Sequence, residues 1–98
     1  MILKEQSNFV TYYKVIKETK CYMWIRELEQ EEVRTEGLYV YMYPIEDQFK
    51  NDEVFKYKKN TDLNGKLVLW HHRFAIKEFD GTNYGYNNLG WWKMKNML

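Results

Sequence analysis

The sequence predicts a mainly β domain, either a small barrel of five or six strands or a strongly bent antiparallel sheet, of the SH3-like or OB-like kind. Three observations predict it. The stretch Phe9 to Leu28, FVTYYKVIKETKCYMWIREL, reads as two strands rich in Val, Ile, Tyr, Trp and Thr, joined at Glu18-Thr19-Lys20. Leu38 to Tyr43, LYVYMY, alternates with the period of a strand. Val54 to Lys59, VFKYKK, alternates again and runs into NTDLNG, whose Asn64-Gly65 pair is a hairpin signal.

In chain order, Met1 to Asn8 is a lead-in that joins the sheet through Ile2 and Leu3. Phe9 to Lys17 places Phe9, Thr11, Tyr13 and Val15 inward, with Val10, Tyr12, Lys14 and Ile16 outward. Cys21 to Leu28 sets Cys21, Met23 and Ile25 against Tyr22, Trp24, Arg26 and Leu28. Its continuation, ELEQEEVRTE, reads as a solvated acidic loop. The rival is a helix from Tyr22 to Glu36 ended by Gly37, because the composition suits a helix. Leu38 to Tyr43 puts Tyr39, Tyr41 and Tyr43 on one face, and Pro44 ends it, since proline cannot donate to a ladder. Ile45 to Asp52 is a loop or one helical turn. An α+β domain with one short helix at 22–36 or 45–52 is therefore the alternative architecture. In VFKYKK, Phe55 and Tyr57 lie opposite Lys56 and Lys58. Lys66 to Phe74 is the fifth strand, and Ala75 to Gly81 adds a short one.

Residues 1–98 form a single domain without an internal linker or repeat. Within it, 82–98 changes character: TNYGYNNLGWWKMKNML is rich in Gly and Asn, yet carries Tyr84, Tyr86, Leu89, Trp91 and Trp92. So much apolar surface calls for docking on the domain or on a partner.

With 98 residues, of which 45% are hydrophobic, one core can be built. The anomaly is the rings: 4 Trp, 9 Tyr and 5 Phe in a domain that is mostly surface. Tyr and Trp are enriched where proteins meet partners. The net charge of +1 is no polyelectrolyte signature, but it is unevenly spread. Residues 1–49 hold six basic and nine acidic groups, and residues 50–98 hold nine basic and five acidic. One cysteine, Cys21, excludes an internal disulfide, and its setting reads as a small core residue. The N-terminus lacks an apolar leader, and no apolar run reaches membrane-spanning length. A cytoplasmic protein with no membrane partner is the expectation.

No nucleophile elbow, zincin, P-loop, dinucleotide fingerprint or CxxC pair occurs. His71-His72 lie in a strand reading, where neighbours face opposite ways and cannot share a metal. Cys21 with either histidine is the only nucleophile and base pair on offer. The expectation is therefore no enzyme, no metal and no cofactor.

Binding is better supported. Tyr39, Tyr41 and Tyr43 form a stripe that Trp70, Trp91 and Trp92 extend, with Glu29, Glu31 and Glu32 as acidic contacts for a basic protein surface. The alternative is a single-stranded nucleic-acid-binding barrel that uses Tyr57 with Lys56, Lys58, Lys59 and Arg73; rings would stack bases while cations track phosphates. Near-neutral charge favours a protein partner. A homo-oligomer held by the C-terminal aromatics is a third expectation.

The segment YYKVIKETKCYMWIREL from Tyr12, followed by Ala75, Phe79-Asp80-Gly81 and Tyr84, resembles small single-domain proteins encoded by bacteriophages and mobile elements. These share an aromatic-x-Val, a Thr, an aromatic-Ile-Arg-Glu run and a late Trp- or Phe-Asp-Gly. This chain departs from them in its acidic stretch at 29–36 and its Trp-rich tail. The resemblance implies a context and no residue roles: phage accessory genes of this size often encode inhibitors of bacterial defence systems, such as CRISPR effectors. On that reading the chain is an inhibitor acting by protein–protein contact in the bacterial cytosol.

Overall fold

The computed structural model describes residues 1–7, 9–81 and 84–87. They form one antiparallel sheet of eight strands: β1 (Ile2–Gln6), β2 (Val10–Glu18), β3 (Tyr22–Glu36), β4 (Tyr39–Lys58), β5 (Asn60–Thr61), β6 (Leu67–His71), β7 (Phe74–Glu78) and β8 (Tyr84–Asn87). Their order across the sheet is β5-β6-β7-β1-β2-β3-β4-β8. The protein is thus mainly β, and among the described residues there is no helix.

The lead-in proves to be the middle of the sheet. β1 pairs with β2 on one side and β7 on the other. The sheet bends until its ends nearly meet. β4 closes against β3 at Lys58–Tyr22, and after Lys59 alone the chain enters β5, which pairs with β6 at the opposite end of the strand order. Across the resulting hollow, the Tyr57 ring of β4 lies 6.3 Å from the His71 ring of β6. Among the described residues no ladder joins β4 to β6, so the sheet is strongly bent but not closed into a barrel.

Two apolar cores result, one on each face. The inner core joins Leu3, Tyr13, Met23, Ile25, Leu69 and Ile76, with Val15, Phe55, Tyr57 and Leu67 packed against it. The outer core is smaller: Val10, Tyr12 and Leu28, flanked by Ile2, Met42, Phe49 and Phe79. Tyr12 and Tyr13 are neighbours on β2 and so point to opposite faces, and both are buried. The expected inward set for β2 was therefore half the answer, because β2 is covered on both sides.

β3 serves both cores by ordinary alternation of its side chains. Register shifts fall between Arg26 and Leu28 and between Leu28 and Gln30. The extra residues lie in β4, 50–53 at the first shift and 45–48 at the second, while β3 keeps its alternation. Ile25 fills the inner core, and Leu28, three residues on, plugs the outer one. Pro44 does not end its strand; it sits opposite Gln30 at this irregular stretch, where the ladder can spare a donor. The acidic stretch 29–36 is strand, not loop or helix, and 45–52 falls within β4, although among the described residues only Phe49 of that region has a ladder partner. The acidic stretch is strand because it is paired: Gln30 to Glu36 meet Pro44 to Tyr39 across a two-residue turn at Gly37-Leu38. Gly37 supplies the positive φ of 59° that the first turn position requires.

KLVLWHHRF is not one strand. It folds back at His72-Arg73, with His71 opposite Phe74. His72 takes a φ of 57° at the position where Gly is usual. The expected turn in NTDLNG forms at 62–66, while Asn60 and Thr61 belong to β5. Its Asp62 carboxylate accepts the N–H groups of Asn64 and Lys66, which hold its pKa below the ordinary value.

Candidate functional site

The β3–β4 hairpin outruns β2. β3 pairs with β2 only up to Glu27–Tyr13, and Gln30 Nε2 donates to the carbonyl of Val10, the first residue of β2. The Tyr12 hydroxyl fastens the hairpin from below by donating to the Met42 carbonyl at 3.0 Å. From there the hairpin projects as a two-stranded arm, widened by β8, whose residues Tyr84 to Asn87 pair with Met42 to Tyr39. The molecule is accordingly elongated, 43 × 30 × 22 Å.

Alternation brings the expected tyrosines together. Tyr39, Tyr41 and Tyr43 share one face, with Glu36, Arg34 and Glu31 directly across from them. Arg34 lies 4.2 Å from the Tyr41 ring centre and 3.2 Å from Glu36 Oε2, so its charge is used locally. Glu29 lies on the same side of β3 as Glu31, about 7 Å along the strand. Among the described residues neither has a cationic partner, whereas Glu27 pairs with Lys50 at 3.4 Å. Glu32 departs from the group: it faces Met42 on the other side and accepts from the Thr35 hydroxyl. The tip is apolar as well. Val33, Leu38 and Tyr39 are 45%, 49% and 52% exposed, although a hairpin tip needs no apolar residue to form. Tyr43 is anchored edge-on to Phe79, which also packs on Tyr12.

The remaining expected residues do not join this face. Trp70 is exposed on β6, separated from β4 in the strand order by β7, β1, β2 and β3. Trp91 and Trp92 lie outside the described residues, as does most of the segment 82–98. Of the alternative set, Lys56 and Lys58 are exposed on the outer face, but Tyr57 turns inward against the core. Lys59 is held by Glu18 and the Thr19 carbonyl. Arg73 sits in the His72-Arg73 turn.

The sequence reading missed two features. The first is Glu5, buried in the inner face of β1. Its carboxylate accepts from the Tyr13 hydroxyl at 3.2 Å and meets His71 Nδ1 at 2.9 Å. Burial and this carboxylate push the Tyr13 pKa far above its ordinary value and raise that of Tyr57. The available signal was that Glu5 is two residues from Leu3 and so shares its face. The two histidines also do not alternate along one strand. The strand ends at His71, and the left-handed turn lays the His72 ring 4.9 Å from the His71 ring. Among the described residues no three His, Cys, Asp or Glu side chains gather to hold a metal ion. Cys21 is exposed in the β2–β3 turn, not in the core.

The second missed feature is a mixed cationic and aromatic patch on the outer face of β2, β3 and β4. Lys17, Trp24 and Lys56 stand in one cross-strand row, and Tyr22 and Lys58 stand in the next. Among the described residues no helix is long and apolar enough to cross a membrane.

Comparison with known proteins adds no relative: no protein-family model, no curated protein and no solved structure matches the chain.

Proposed function

We propose that the chain is a non-enzymatic binding protein that docks the projecting β3–β4 hairpin on a basic surface of another protein. In the phage and mobile-element context its sequence resembles, that partner is a bacterial defence protein, such as the nucleic-acid groove of a CRISPR effector, and the outcome is inhibition. One observation carries the reading: Tyr39, Tyr41 and Tyr43 share a hairpin face with the unpaired carboxylates of Glu29 and Glu31. Tyrosines supply large contact area with few rotors to freeze, and carboxylates without partners complement a groove built for phosphates. The apolar tip at Val33, Leu38 and Tyr39 gives the arm an anchor that exclusion from water would reward.

The test is expression of the chain in bacteria carrying a panel of CRISPR effectors and other defence nucleases, scored by restored plaque formation. Purified nuclease that responds is then checked for direct binding. Restored plaques that disappear with Tyr39→Ala or with Glu29→Lys/Glu31→Lys are expected. Full activity of both variants, or no effect on any defence system, would overturn the proposal.

A further inference from the structure

We infer that the outer face at the β2–β3–β4 end of the sheet binds single-stranded nucleic acid, with bases on Tyr22 and Trp24 and phosphates on Lys17, Lys56 and Lys58. This surface is distinct from the hairpin tip and stands whether or not the hairpin docks on a protein. It uses the start of β3 and the end of β4, where the tip uses the end of β3 and the start of β4.

The ladder fixes the arrangement. Lys17 faces Trp24, Trp24 faces Lys56, and Tyr22 faces Lys58. Their β4 neighbours Phe55 and Tyr57 point into the inner core, so the five side chains share the solvent face. Lys17 Nζ lies 4.6 Å from the Trp24 ring centre, and Lys56 Nζ lies 4.3 Å from Tyr22 and 5.2 Å from Trp24. The two rings are 6.4 Å apart and tilted by 53°.

Charge selects the ligand. The neighbouring cations are neutralised: Lys14 by Asp47, Arg26 by Asp52 and Lys59 by Glu18. Among the described residues no carboxylate pairs with Lys17, Lys56 or Lys58; their ammoniums rest on rings or in solvent. Ammonium contacts with exposed rings are weak and exchangeable. A polyanion with flat aromatic units satisfies both partners at once. The base takes the ring face, and the displaced ammonium swings to the adjacent phosphate. Duplex bases hide their faces in the stack, so the ligand is single-stranded.

The experiment is fluorescence anisotropy of a labelled oligothymidylate titrated with the full chain over a range of salt. Binding is expected to weaken with salt at a logarithmic slope of about −2, as three phosphate contacts on a single strand require. Trp24→Ala and Tyr22→Ala should each weaken it about tenfold. The triple variant Lys17→Gln/Lys56→Gln/Lys58→Gln should flatten the slope, and Trp70→Ala should change nothing. Circular dichroism confirms the fold of each variant, and the exposed Tyr22→Ala serves if Trp24→Ala unfolds. Absence of binding, unchanged binding by the triple variant, or equal competition from polyglutamate, which would mark an acidic protein surface as the ligand, overturns the inference.

Discussion

Glu5 is where a single residue most changes the behaviour of the interior. Its side chain is 8% exposed, and it serves both the Tyr13 hydroxyl and His71 Nδ1. Glu5→Ala would leave the Tyr13 hydroxyl buried without an acceptor, a loss of about 1–3 kcal/mol in urea unfolding. The same contact gives the protein an alkaline limit. The Tyr13 pKa is raised above its ordinary value of 10.0 by burial first and by the Glu5 charge second. Below pH 10.0 both folded and unfolded chains keep this proton, and the contribution to stability is complete. At higher pH the unfolded chain loses the proton and the folded chain keeps it, so stability falls, by at most about 1.4 kcal/mol per pH unit for this group. Urea titrations across the alkaline range should show that fall in the wild type and a shallower one in Tyr13→Phe. At the β6–β7 turn, His72 holds a left-handed backbone at φ 57°. His72→Gly is therefore expected to stabilise the protein by about 1 kcal/mol, read as a raised unfolding midpoint. None of this was legible from residue types. The alternation that placed Glu5 beside Leu3 was visible, but its partners come from β2 and from a hairpin 66 residues away.

At the scale of elements, the β3–β4 hairpin decides the shape. Its strands were legible as short alternating runs at 21–28, 38–43 and 54–59, and the opposition of Phe55 and Tyr57 to Lys56 and Lys58 held. Their union into strands of 15 and 20 residues was not. ELEQEEVRTE has poor strand propensity, and cross-strand pairing with the tyrosine run overrides it. The two excursions of β4 opposite Leu28, at 45–48 and 50–53, have no sequence signature either. Leu28→Ala is expected to cost about 2–5 kcal/mol, although Leu28 stands outside the main core. Hydrogen exchange should then show the hairpin arm losing protection before β1 and β7. Protection lost uniformly would mean the outer core does not hold the arm. At the Tyr face the sequence was a good guide, because a stripe at period two on a short strand needs only that strand to be straight. Trp70 could not be placed with it or apart from it until the strand order was known.

For the whole molecule, both cores share β2 through the adjacent Tyr12 and Tyr13. Neither face can open without stripping cover from the strand that supports the other. Unfolding should therefore be a single transition, with tryptophan fluorescence and far-ultraviolet circular dichroism superimposing. Two separated transitions would show the outer core to be an independent unit. The charge distribution follows the same long axis. Unpaired carboxylates gather on the projecting arm, and unpaired lysines gather on the outer face at the other end of the same hairpin. The uneven charge between the two halves of the sequence hinted at such a separation. Only the fold brings Lys17, from the acidic half, into the basic patch.

The sequence by itself determined that the chain is mainly β, which short runs are strands, where Asn64-Gly65 turns, and which face of Leu38 to Tyr43 carries tyrosine. These follow from side-chain alternation and turn chemistry, which act over a few residues. The folded sheet settled the rest: Ile2 to Gln6 runs through its centre, both faces of β2 and β3 are covered, it bends without closing, and Glu5 meets Tyr13 and His71. Each of those depends on register and curvature between strands distant in the chain. They are set by the joint packing of the sheet and by no segment alone.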